Sequence, residues 1–74
     1  MSHTITRLVA MANQIGRAFA NRKPEEAEKE IAEHFKSFWE RRMLAQIHAH
    51  IDAGAEGLDP LPRQSLERIR QPKP

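Results

Sequence analysis

The residues best equipped for chemistry lie in one stretch, "HFKSFWERRMLAQIHAH" (34–50). It holds three of the four histidines, two of the three phenylalanines and the only tryptophan. Histidines offer metal ligation, aromatics beside arginines offer contact with nucleic acid, and both together offer a protein docking surface. Metal ligation is the weakest of these. On a helix, His48 and His50 point about 200° apart and cannot grip one ion together. His34 reaches either only through tertiary folding, and no nearby carboxylate–histidine pair has the spacing of a helical zinc site. The chain also has no cysteine, hence no thiolate ligand and no disulfide.

Nucleophilic catalysis lacks its parts as well. Ser2, Ser37, Ser65 and the threonines at 4 and 6 form no nucleophile–base signature, and no glycine-rich phosphate loop is present. For nucleic acid, Arg41 and Arg42 beside Trp39 could stack on bases or pair with phosphate. Glu40 adjoins them, however, and the preceding segment is acidic. Residues 1–23 hold Arg7, Arg17, Arg22 and Lys23 without an acid, whereas residues 24–40 hold six glutamates against two lysines. The net charge of +2 therefore hides an alternation, not one basic face, and nucleic acid is not the expected partner.

The elements that must position these residues are helical. Ile5, Leu8, Val9, Ala12, Ile15, Gly16 and Phe19 recur at three- and four-residue spacing, an amphipathic helix over about 4–21. Gly16 lies inside that stripe although glycine costs a helix interior about 1 kcal/mol, which predicts close approach of another helix there. Pro24 followed by Glu25, Glu26 and Glu28 starts a second helix, over about 24–39. Its stripe runs Ala27, Ile31, Phe35 and Phe38. The next apolar set, Met43, Leu44, Ile47 and Ile51, would emerge on the opposite side of a continued helix, with Arg42 in the middle of the apolar face. The reversal predicts a break near Trp39–Arg42 and a third helix over about 42–53, ending at Gly54 as a left-handed cap. Asp59 and Pro60 begin a short fourth helix, to about residue 70, with Leu61, Leu66 and Ile69 inward. Pro62 complicates its first turn by disfavouring helical geometry at Leu61. The tail 71–74 should be loose. The expected fold is thus one small all-α domain of about four helices.

Such a domain is thin. Ten of its 74 residues are alanine, and a core this small typically yields only ~3–5 kcal/mol without help. A partner protein is the remaining source of help; whether the isolated chain self-associates is left open by the sequence. No apolar run approaches the ~18 residues of a membrane span, and "MSHTITRLVAMANQIG" lacks a secretory apolar region. The expectation is a soluble, cytoplasmic protein. Trp39, Arg41, Arg42 and Met43 sit where the apolar face switches, so they cannot all enter one core, and these residue types favour interfaces. The alternative for Trp39 alone is that it closes the core at a helix corner.

The motifs "LVAMANQIGRAF" (8–19), "HFKSFWERRMLAQIHAHIDAG" (34–54) and "GLDPL" (57–61) resemble, in this order, the delta subunit of cytoplasmic NAD-dependent formate dehydrogenases that contain molybdenum or tungsten. The resemblance covers nearly the whole chain. One departure is Glu40-Arg41, where the family usually has Asp-Pro, a proline that would enforce the break. The resemblance implies a small accessory subunit with no catalytic residue, cofactor or metal of its own. Its partners would be the large catalytic subunits, which carry molybdopterin-bound molybdenum or tungsten, iron–sulfur clusters, FMN and NAD. Carried over by position, Asn13, Gln14, Phe38, Trp39, Arg42, Met43 and Gln46 are the residues it places at a partner. A free-standing regulatory or nucleic-acid-binding protein and a transient maturation chaperone are the rival readings.

Overall fold

A computed structural model describes residues 3–70; the tail 71–74 lies outside the described residues. The described residues form four helices in the order expected: α1 (His3–Ala18), α2 (Pro24–Phe38), α3 (Arg41–Asp52) and α4 (Pro60–Arg68). The fold is all-α, and α2 packs chiefly on α4 while α1 lies mainly against α3 and α4. Leu8, Ala12, Ala27, Ile31, Phe35, Trp39, Ile47, Ile51, Ala55, Leu58 and Leu66 form one core.

Helix α1 ends at Ala18, short of the expected residue 21. Beyond it the chain tightens: the N–H groups of Phe19, Ala20 and Arg22 each donate three residues back, to Gly16, Arg17 and Phe19. Gly16 earns its place by contact. A Cβ there would stand 2.8 Å from Cδ of Pro62, in the first turn of α4, closer than packed carbons approach. The missing methyl is what lets α4 sit on α1.

The break between α2 and α3 falls at Trp39 and Glu40. Both are extended, Trp39 at φ −93°, ψ 135° and Glu40 at φ −70°, ψ 155°. The Trp39 N–H still closes the last turn of α2 on the Phe35 carbonyl at 2.9 Å, and the Glu40 carbonyl accepts the first bond of α3 from Leu44 at 3.0 Å. No proline is needed. Trp39 turns its indole back onto the Phe35 ring, edge to face at 4.7 Å between centroids, and that burial holds the corner.

The end of α3 is a Schellman cap. Gly54 adopts φ 123°, the Ala55 N–H donates to the His50 carbonyl at 2.9 Å and the Gly54 N–H to that of Ile51 at 3.1 Å. Ala55 also takes positive φ, at 56°, and its methyl joins the core. In α4, Pro62 occupies the third helical position, where an N–H would have no intrahelical partner in any case. The first helical bond is Arg63 N–H to the Asp59 carbonyl, so the two prolines stiffen the first turn without breaking it.

Candidate functional site

The three histidines of the central stretch do not converge. His48 Nε2–H donates to the Leu66 carbonyl at 2.8 Å, tying α3 to α4. His50 Nε2–H donates to the Glu56 carbonyl at 2.8 Å, bracing the loop that follows its own helix. A carbonyl can only accept, so both rings carry the proton on Nε2 in these bonds. His34 lies elsewhere, between Phe19 at 6.5 Å and Phe38 at 4.8 Å. Among the described residues no three His, Asp or Glu side chains are grouped to hold a metal ion.

The residues expected at a partner divide into two sets. Asn13 and Trp39 are engaged by their own chain. Asn13 Nδ2 donates to the Gly57 carbonyl at 2.9 Å, and its Oδ1 accepts from the Asp59 N–H at 2.8 Å. One side chain of α1 thereby clamps both sides of the turn that leads into α4. Trp39 is 7% exposed and belongs to the interior, which is the alternative the sequence left open for it. The reason is geometric: an extended residue at a helix corner can fold its side chain back over the helix just finished.

The others face outward. Gln14, Arg42 and Gln46 are exposed, Met43 is half-buried against the core, and Phe38 is 73% exposed. Phe38 corrects the expected stripe of α2. The stripe does run through Ala27, Ile31 and Phe35, but it continues to Trp39, four residues on, and also takes in Ala32. Phe38 is the last residue of α2, and Phe19, just beyond the end of α1, lines the same groove.

Around Phe38 the surface forms an open groove of about 530 Å³ lined by Phe19, Glu26, Glu30, Glu33, His34 and Phe38, together with Lys29 and Ser37. Above it Arg22 lies 5.6 Å from the centre of the Phe19 ring and 3.4 Å from Glu30. A second cleft, about 520 Å³, opens on the other side of the corner between Lys36, Arg41, Leu44 and Arg70. Of its two arginines Arg70 is already engaged: hydrogen bonds to Asp52 and then Glu67 raise its pKa above the ordinary value. Sequence reading missed the groove, although its signal was present. Glu26, Glu30, His34 and Phe38 are spaced four apart and so share one ridge of α2.

The clamp between α1 and the turn before α4 joins the first and third sequence motifs, and the α2–α3 corner is the second. A family model described as "NADH-dependant formate dehydrogenase delta subunit FdsD" matches residues 7–66. The chain belongs to the FdsD family. No curated protein and no solved structure gives a significant match. The FdsD match takes in every motif that carried the resemblance, from Asn13 to the Gly57–Leu61 turn. It also takes in the corner with Glu40-Arg41, which stays broken in this member without the Asp-Pro pair. Among the described residues no helix is long and apolar enough to cross a membrane.

Proposed function

We propose that this chain is a non-catalytic accessory subunit that stabilises or helps assemble an NAD-dependent formate dehydrogenase containing molybdenum or tungsten. The observation that carries the reading is the FdsD match over residues 7–66 of the 74. The chemistry fits it. With no cysteine the chain has no thiolates for an iron–sulfur cluster, and its central histidines are spent on backbone carbonyls or aromatic contacts. Formate oxidation and electron transfer to NAD, with molybdopterin, iron–sulfur clusters and FMN, then belong to the large catalytic subunits, in the cytoplasm. This chain contributes surface.

The test is quantitative co-purification. The active enzyme, isolated through a tag on a large subunit, should contain this chain in near-stoichiometric amount, and enzyme made without it should be less stable or less completely assembled. A maturation chaperone would instead be depleted from the active enzyme. Full assembly, stability and activity without the chain would refute the accessory role.

A further inference from the structure

Phe38 is the most exposed large apolar side chain among the described residues, at 73%, and it does not stand alone. It ends a ridge of α2, Glu26–Glu30–His34–Phe38, that grades from acid at one end to aromatic at the other. Twelve residues at 1.5 Å rise make this ridge about 18 Å long, roughly three turns of a facing helix. Phe19 meets His34 from the side at 6.5 Å, so the aromatic end is three rings wide. Glu26 and Glu33 make no ion pair among the described residues, whereas Glu30 is paired with Arg22 and Lys29 stands among the acids.

Arg22 shows which chemistry the ridge accepts. It lies over the Phe19 ring at 5.6 Å while reaching Glu30 at 3.4 Å, stacking on an aromatic and pairing with a carboxylate at once. The guanidinium is suited to this double contact because it is planar and weakly hydrated. A second arginine, brought by a partner, would find a carboxylate to pair with at Glu33 or Glu26.

We infer that this ridge docks a basic amphipathic helix of a large formate dehydrogenase subunit. An aliphatic side chain of that helix lies on Phe38 and His34, and its arginines or lysines lie along Glu26 and Glu33. The inference rests on the accessory-subunit reading and names the face and the partner's chemistry. Charge complementarity selects a basic partner, and the exposed ring supplies the apolar anchor at one end. A second copy of this chain fits less well. Its basic α1 meeting the acidic α2 of a neighbour is a head-to-tail contact between different faces, which propagates unless it closes into a ring.

The test uses the full-length chain and formate dehydrogenase prepared without it. Phe38→Ser should weaken association at least ~30-fold, the effect of losing an interface anchor. The double reversal Glu26→Lys/Glu33→Lys should weaken it about tenfold or more and flatten its salt dependence, while Gln64→Ala on exposed α4 surface should change nothing. Circular dichroism on each variant confirms that the helices persist. A photo-crosslinking residue at position 38 should attach to a helical segment with basic residues three or four apart. If the wild-type chain binds and the ridge variants bind equally well, the docking face lies elsewhere and the accessory reading survives. If the wild-type chain does not bind, both fall. Cross-linking to an acidic segment, or sedimentation showing that the free chain oligomerises and that the Glu26→Lys/Glu33→Lys change disperses it, also overturns the inference.

Discussion

Two of the junctions in this domain work by opposite means. At the α2–α3 corner the chain leaves a helix without a proline or a side-chain cap, and the geometry rests on apolar burial: Trp39 folds back on Phe35 at 4.7 Å. Where α1 meets the turn before α4, polar and steric fit set the geometry beside the apolar packing of Leu8 and Leu58. Asn13 binds the backbone on both sides of Leu58, Gly57 turns at φ 80°, and Gly16 admits Pro62. A domain with ten alanines cannot fill every junction with bulk. It spends its one tryptophan at the corner and uses an amide to locate the turn.

The largest loss is expected at the corner. Trp39→Ala removes the largest core side chain, and such truncations cost about 3–5 kcal/mol, as much as a core of this size typically supplies. The isolated chain should lose its helical circular dichroism, and Trp39→Phe should restore part of it. A folded Trp39→Ala chain with an unchanged melting temperature would show that the corner is held by something else.

At the polar junction the expected loss is smaller. Asn13→Ala leaves the Asp59 N–H and the Gly57 carbonyl without their partner, at about 1–3 kcal/mol. For a domain of this length each kcal/mol lowers Tm by roughly 4–8 °C. Asn13→Asp keeps the acceptor for Asp59 but loses the donor to Gly57, and its melting temperature should fall between the other two. Gly16→Ala comes next. The new methyl meets a rigid ring at 2.8 Å, so overpacking of about 1–3 kcal/mol outweighs the ~1 kcal/mol gained in helix propensity. A melt at or above the wild-type temperature would mean that α4 shifts aside easily.

The two junctions were not equally legible in the sequence. Apolar periodicity reports which way a helix faces, so the reversal between Phe38 and Met43 located the break, and glycine in the α1 stripe announced a close approach at residue 16. Periodicity does not report what lies opposite the end of a helix. Phe38 and Ile31 share an angular sector of α2, yet Ile31 is buried and Phe38 is 73% exposed, because among the described residues no helix covers the last turn on that side. Trp39 was ambiguous for a related reason: at a corner, one residue's backbone angles decide whether a side chain points in or out. The Asn13 clamp spans more than forty residues and has no local signature. Motif order placed Asn13 among candidate partner contacts, but its side chain is bound within the fold. A residue can mark a family because it shapes the domain or because it touches a partner, and only the packing separates the two.

The smallest effect on folding is expected at Phe38, next to the corner. Phe38 and Trp39 are adjacent aromatics in the same motif, and their stabilities under truncation should differ by several kcal/mol. Phe38→Ser removes a ring that is 73% exposed and that meets the His34 ring at 4.8 Å. Exposed substitutions of this kind stay within about 0.5 kcal/mol, and an aromatic pair adds about 0.5–1.5 kcal/mol, with the low end expected for so exposed a ring. Chemical denaturation of the isolated chain should therefore give nearly superimposable curves for wild type and Phe38→Ser. A loss of 2 kcal/mol or more would mean that the ring is part of the core in solution, by closing onto Phe19 over His34. That result would make both aromatics structural and erase the division between an inward and an outward member of the pair. Near-identity of the two curves, set against collapse of the Trp39→Ala chain, would establish that neighbouring residues of one motif do separate work: one makes the corner and the other is left to the surface.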